Sequence, residues 1–313
     1  MRLRPVHTLL LLSLLALGGT TGPPAPASRE EPLRSPRIAV CWADGAEPEK
    51  SPRFLAPWVT TQGAEYNFDD QNRWSSTATD GSGLGRGDPI TLTWGFVPEG
   101  TLVILDGGGG SDTLGASDLI GTMDGIYGEG PGGDDLTQRP WFPIFQQTFI
   151  WWGSAIGVRY VYEPADDGAR YPGSPGVLGV RPDVRISGIS VDGPFGVLAF
   201  NLFPNLGDMV LDTDETELFL TANDSHELRN TIAHEHGHGL GIAHSCPEDR
   251  TKLMEPTAGF SFLGPQGDDI LAANRGYGDR LEIPLGNDAP GSATDLGAFS
   301  PGDSLIITGL SID

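Results

Sequence analysis

Apolar and polar positions along the chain fall into short, separable patterns. Pro89 to Phe96 alternates apolar and β-branched residues and predicts a strand, and Gly100 to Leu105 predicts a second, shorter one. Trp141 to Trp152 is apolar at the helical period and long enough to pack as a helix on a sheet. Val158 to Tyr162 follows as a strand, and Val184 to Ile189, Val197 to Phe200 and Met209 to Leu211 are further short strands. Asp224-x-x-Glu227 has the spacing of a capping box, so a helix is expected to begin there. Between the second strand and the first helix runs a glycine-rich insertion, about 107–134. It holds one copy of a calcium nonapeptide pattern, Gly107-Gly108-x-Gly110-x-Asp112-x-Leu114. Such repeats build a structure only when several stack, so this stretch is read as a flexible loop.

The two ends have a different character. Arg2 and Arg4 precede the apolar run Leu9 to Leu17, which is too short to span a membrane and predicts an export signal over 1–18. Residues 19–36 are rich in Pro, Gly, Ser and charge, as in a linker or a propeptide remnant. The globular part is expected over 37–283. Residues 284–313 read as the start of a C-terminal β domain or as an extension.

Charge narrows the picture. Forty-two Asp and Glu against nineteen Lys and Arg give a formal charge of -23, and Lys50 and Lys252 are the only lysines. Nucleic acid is excluded as a partner, because holding phosphates requires clustered cations. The carboxylate excess instead suits an exported protein able to hold calcium. Export would place Cys41 and Cys246 in an oxidising compartment, where they can pair, stand as separate thiols or serve a metal.

The chemistry is concentrated in one stretch. Apart from His7, every histidine falls between positions 226 and 244. His234 and His238 are four apart, so on a helix their imidazoles leave one face a turn apart and can close on one ion. Gly241 can take a left-handed conformation that ends the helix. His244 then returns as a third ligand and leaves a fourth position open, the arrangement of a catalytic zinc site. Glu235, beside a ligand, is placed to take a proton from water that zinc has activated. His226 and His236 point elsewhere and are read as surface or packing residues.

The string His234-Glu235-x-x-His238-x-x-Gly241-x-x-His244 resembles the extended zinc motif of the metzincin metalloendopeptidases. Lys252-Leu253-Met254-Glu255-Pro256 is similar to their Met-turn. Ser245 after the third histidine and Pro256 two residues after Met254 are similar to the matrixin family, the relatives of the matrix metalloproteinases. The resemblance implies an α+β zincin-like fold. It would be a twisted, mainly parallel five-stranded sheet over two long helices, with a further helix near Asp268 to Tyr277 and an extended substrate along an edge strand. It implies Met254 as an apolar floor under the metal. It also implies a calcium loop in which Asp192, Asp212 and Glu215 give carboxylates and Gly193, Phe195 and Val197 give carbonyls. Two departures stand out. Phe200 and Leu211 occupy positions where the family holds a second, structural zinc, so one zinc per chain is expected. No Pro-Arg-Cys-Gly latency motif occurs, and Cys41 is the one thiol that stands in an N-terminal position.

The resulting expectation is a secreted, monomeric, zinc-dependent endopeptidase acting on proteins or peptides, without stable membrane insertion. The competing expectations are a non-catalytic zinc- and calcium-binding adhesion module, and a metzincin of serralysin or astacin type.

Overall fold

The computed structural model describes residues 38–42, 72–107, 110–215, 218–219, 221–245, 250–257, 259–283, 291 and 293–297, without the side chains of 38, 42, 106, 107 and 110–112. The expected signal, the linker, Cys246 and most of 284–313 lie outside the described residues.

In chain order the elements are β1 (Ile38–Trp42), a two-strand ribbon of β2 (Ser76–Thr77) and β3 (Gly81–Ser82), β4 (Ile90–Phe96), β5 (Leu102–Gly107), β6 (Gly110–Ala116), α1 (Leu119–Tyr127), α2 (Phe142–Gly153), β7 (Val158–Tyr162), β8 (Val184–Ile189), β9 (Val197–Leu202), β10 (Met209–Asp212), α3 (His226–Gly239) and α4 (Gly267–Tyr277). The main sheet has the order β1-β9-β10-β8-β4-β7. The β4–β7, β4–β8 and β10–β8 pairs are parallel, while β9 runs antiparallel to both β10 and β1. The architecture is the expected α+β one with one correction: the sheet has six strands rather than five. The extra strand is β1, whose partner β9 lies far along the chain, so no local turn signal announces the pairing.

A second correction concerns the glycine-rich insertion. Residues 110–116 pair with β5 as an antiparallel hairpin, and 119–127 form α1. Glycine blurs the alternation that would reveal a strand, but β5 supplies the ladder, and its Val103 and Leu105 are buried. The capping box expected at Asp224 is also not formed. Asn223, Asp224 and Ser225 all adopt positive φ (51°, 56° and 56°), and α3 starts after Ser225 with no side-chain cap. That reversal carries the Asp224 carboxylate outward to Arg229, 3.3 Å away. A capping box closes instead between Gln266 and Asp269 at the start of α4.

Strand alternation divides the sheet residues between two apolar layers. Cys41, Ala199, Met209, Leu211 and Ile186 join the larger cluster with α2 and α3, where Phe145, Phe149, Trp152 and Ile232 are buried. Val40, Phe200, Leu202, Val210 and Ile189 face the opposite cluster, closed by Val103 and Leu105 of β5 and by Tyr171. With both faces covered, β8, β9 and β10 are buried along their whole length. Arg185 on β8 is therefore buried too. It is held by a two-pronged pair with Asp166 at 2.7 and 2.8 Å and lies over the Tyr171 ring, pinning the segment before β8.

Candidate metal centre

The α3 helix carries His234 and His238 one turn apart, and the chain reverses just beyond it. Gly241 has φ +101°, and a Cβ there would stand 1.6 Å from the Asn72 carbonyl oxygen. Only glycine fits both the left-handed backbone and the close approach, as its place in the sequence suggested. The reversal returns His244 to the helix. His238 Nε2 then lies 3.0 Å from His234 Nε2 and 3.2 Å from His244 Nε2, with all three rings buried.

Hydrogen bonds on the far side of the rings set the tautomers. His234 Nδ1 donates to the Leu253 carbonyl at 2.6 Å, and His238 Nδ1 donates to the Ile242 carbonyl at 2.7 Å. Their Nε2 lone pairs are thereby turned toward one another and toward His244. Burial pulls the pKa of His234 down to about 4, and burial followed by the neighbouring imidazoles pulls those of His238 and His244 well below the usual value. Three neutral nitrogens with converging lone pairs repel unless a cation lies among them. Tetrahedral zinc with bonds of about 2.0–2.1 Å separates its nitrogen ligands by about 3.3 Å, close to the spacing here. The residues fit zinc.

Glu235 is fully buried, and among the described residues neither carboxylate oxygen has a hydrogen-bond partner. Burial alone drives its pKa far above the carboxylate range. An unsatisfied buried carboxyl is costly, and such a group is retained where a ligand or water completes it. Cys41 shares this space: its Sγ, a Glu235 oxygen and a His234 nitrogen all lie within 4.8 Å of one another. Among the described residues Cys41 has no disulfide partner, and Cys246 lies outside them.

Met254 is fully buried against α3, with its sulfur where a Cβ on Gly237 would stand 2.2 Å away. Gly237 was overlooked in the sequence, and its missing side chain is what lets the helix sit on Met254. Asp269 was overlooked as well. Its carboxylate accepts from the backbone N–H groups of Leu253, Met254 and Gln266, tying the turn to α4. Glu255 accepts from those of Arg250, Thr251 and Lys252, and Pro256 follows half-buried. The capping-box spacing of Gln266 and Asp269 was the one available signal for this tie. His236 packs between Phe149 and Tyr160, whose hydroxyl is 2.7 Å from its Nε2, and His226 bonds the Phe262 carbonyl.

The calcium residues are brought to one region but turned to the backbone. Asp212 accepts from the N–H groups of Val191, Asp192 and Asp214, Asp192 from Val197, and Glu215 from Gly196. Among the described residues these carboxylates do not form a three-ligand cluster. Gly193 and Phe195 take positive φ, with Phe195 exposed, and Val197 opens β9. Phe200 and Leu211 are packed in opposite apolar layers.

Residues 183–278 match the family described as Matrixin. The chain is 30% identical over 148 residues to matrix metalloproteinase-20 of Homo sapiens, covering 41% of this chain and 26% of the relative. It is 27% identical over 166 residues to metalloendoproteinase 1-MMP of Arabidopsis thaliana, covering 49% and 42%. The matched part thus spans less than half the length of each relative. No helix among the described residues is long and apolar enough to cross a membrane. The triad on its helix and reversal, the buried methionine against that helix and the match over β8 to α4 make residues 183–278 similar to the matrixin family.

Proposed function

We propose that the protein is a secreted zinc-dependent endopeptidase that hydrolyses peptide bonds in protein substrates. The observation that carries this reading is the carboxyl of Glu235, without a hydrogen-bond partner among the described residues, beside three converging imidazole nitrogens. His234, His238 and His244 would hold zinc, which when bound polarises a carbonyl and lowers the pKa of water toward 7. Glu235 takes the proton of the attacking water and delivers it to the leaving amine. The hydrogen bonds from His234 and His238 to backbone carbonyls hold the ligands in place.

In this reading an extended substrate runs along β9, whose outer edge is occupied here by β1. Ile38 to Trp42 pair antiparallel with β9 over five positions, with Cys41 opposite Ala199, and alternation turns Cys41 toward Glu235. The described form is closed to substrate, and β1 must leave before a peptide can take the edge.

The test is Glu235→Gln. The variant should keep about one zinc per chain by elemental analysis and lose at least a hundredfold in kcat on a peptide that the parent cleaves. A variant as active as the parent would remove Glu235 from the mechanism, and a parent inert toward a diverse peptide library after release of β1 would remove the endopeptidase reading.

A further inference from the structure

The main sheet ends on β7, so one edge of that strand has no neighbour among the described strands. Its ladder to β4 begins at the Gly157 carbonyl, which accepts from the Ile90 N–H, and closes at the Glu163 N–H, which donates to the Trp94 carbonyl. Parallel pairing uses every second residue, so the backbone groups of Tyr160 and Tyr162 turn outward. Beside this edge, between β7 and α2, lies a groove of about 330 Å³ whose lining includes Phe149, Ile150, Tyr160, Tyr162 and Ile283. Ile150 is half exposed, and Arg159 stands exposed at the same groove. An open strand edge with an apolar groove beside it is a surface that a further strand can cover.

The chain itself leads there. After α4 the Gly278 carbonyl accepts from the Gly157 N–H, Asp279 bridges to Ile156 just before β7, and Ile283 reaches the groove. Thr294 returns to the same place, its hydroxyl donating to the Leu281 carbonyl at 2.7 Å. We propose that Ser304–Leu310, which lies outside the described residues, adds to the free edge of β7 as a seventh strand of the main sheet and covers the groove. Leu305-Ile306-Ile307-Thr308 is the longest apolar and β-branched run within 284–313, and a strand is stable only on a partner ladder. From Thr294 the chain to Leu305 can extend roughly 35 Å, about twice the length of β7, so the segment reaches the edge. Asp303, directly before it, has the charge that complements Arg159. The added strand also shields the Tyr160 hydroxyl, whose bond to His236 Nε2 at 2.7 Å ties β7 to the helix of the metal centre. This docking is independent of the endopeptidase reading.

Amide hydrogen exchange on the full chain compares the parent with two variants. Ile307→Pro breaks the added ladder, and Ile150→Asp places a charge on the exposed rim of the groove. The Tyr160 and Tyr162 amides should exchange at least tenfold faster in both variants, while those of Arg159 and Val161, which face β4, keep their protection. Exchange at Tyr160 and Tyr162 that is the same in the parent and in Ile307→Pro overturns the proposal: fast in both leaves the edge open, and slow in both assigns the cover to another segment. Protection in the parent that rises with protein concentration, together with a dimer by light scattering, assigns the edge to a second copy and overturns it as well.

Discussion

The Cys41 thiol and the Glu235 carboxyl share one buried space beside His234, although β1 is the first described element and α3 follows every described strand. Burial first, and then the nearby Glu235, raise the thiol pKa well above its usual value. Because β1 fills the edge of β9, its removal should expose the centre. A protease site engineered within residues 43–71 and then cut should raise peptide-cleaving kcat/KM at least tenfold over the uncut protein. Equal rates before and after cutting would show that β1 does not block access.

Gly241→Ala should be among the most damaging single-methyl changes in the chain. It forces alanine into φ +101° and drives its Cβ against the Asn72 carbonyl, at a cost of about 2–4 kcal/mol. Chemical denaturation measures the loss. Because this reversal delivers His244, zinc affinity should fall in the same variant.

Stability should depend on pH through Asp208. Full burial raises its pKa from 3.8 to about 7, against the pull of Arg185 and of two backbone N–H groups. The folded state then holds a proton that the unfolded chain has released between about pH 4 and 7. Asp208 therefore weakens folding as pH rises through that window, by up to about 4 kcal/mol in total. The difference in unfolding free energy between the parent and Asp208→Asn should drift against the parent from pH 4 to pH 7 and be flat above pH 8. A difference independent of pH would mean that Asp208 stays ionised.

Calcium should stabilise the loop between β8 and β9. Burial raises the Asp212 pKa to about 6, and a cation would offset that cost. Binding requires Asp192, Asp212 and Glu215 to exchange their backbone partners for the ion. Calcium is expected to raise the melting temperature of the parent by several degrees and leave Asp212→Asn unchanged, whereas equal curves with calcium and with chelator would leave the loop as an amide-capped turn.

The sequence by itself determined whatever is local. The four-residue spacing of His234 and His238 is a property of any helix, the left-handed freedom of Gly241 belongs to glycine, and strand alternation marks β4 and β7 to β10. Local rules misjudged the start of α3, where three positive-φ residues replaced the cap at Asp224, and the glycine-rich 110–116, where a partner strand supplied the order. Tertiary structure alone decided that Ile38–Trp42 joins β9, that Cys41 faces Glu235, that Asp269 holds a segment flanking the metal centre, and that Gly237 admits Met254. Each of those contacts joins residues whose separation along the chain carries no periodic signal. The folded core fixes them through burial and through hydrogen bonds that must be satisfied once water is excluded.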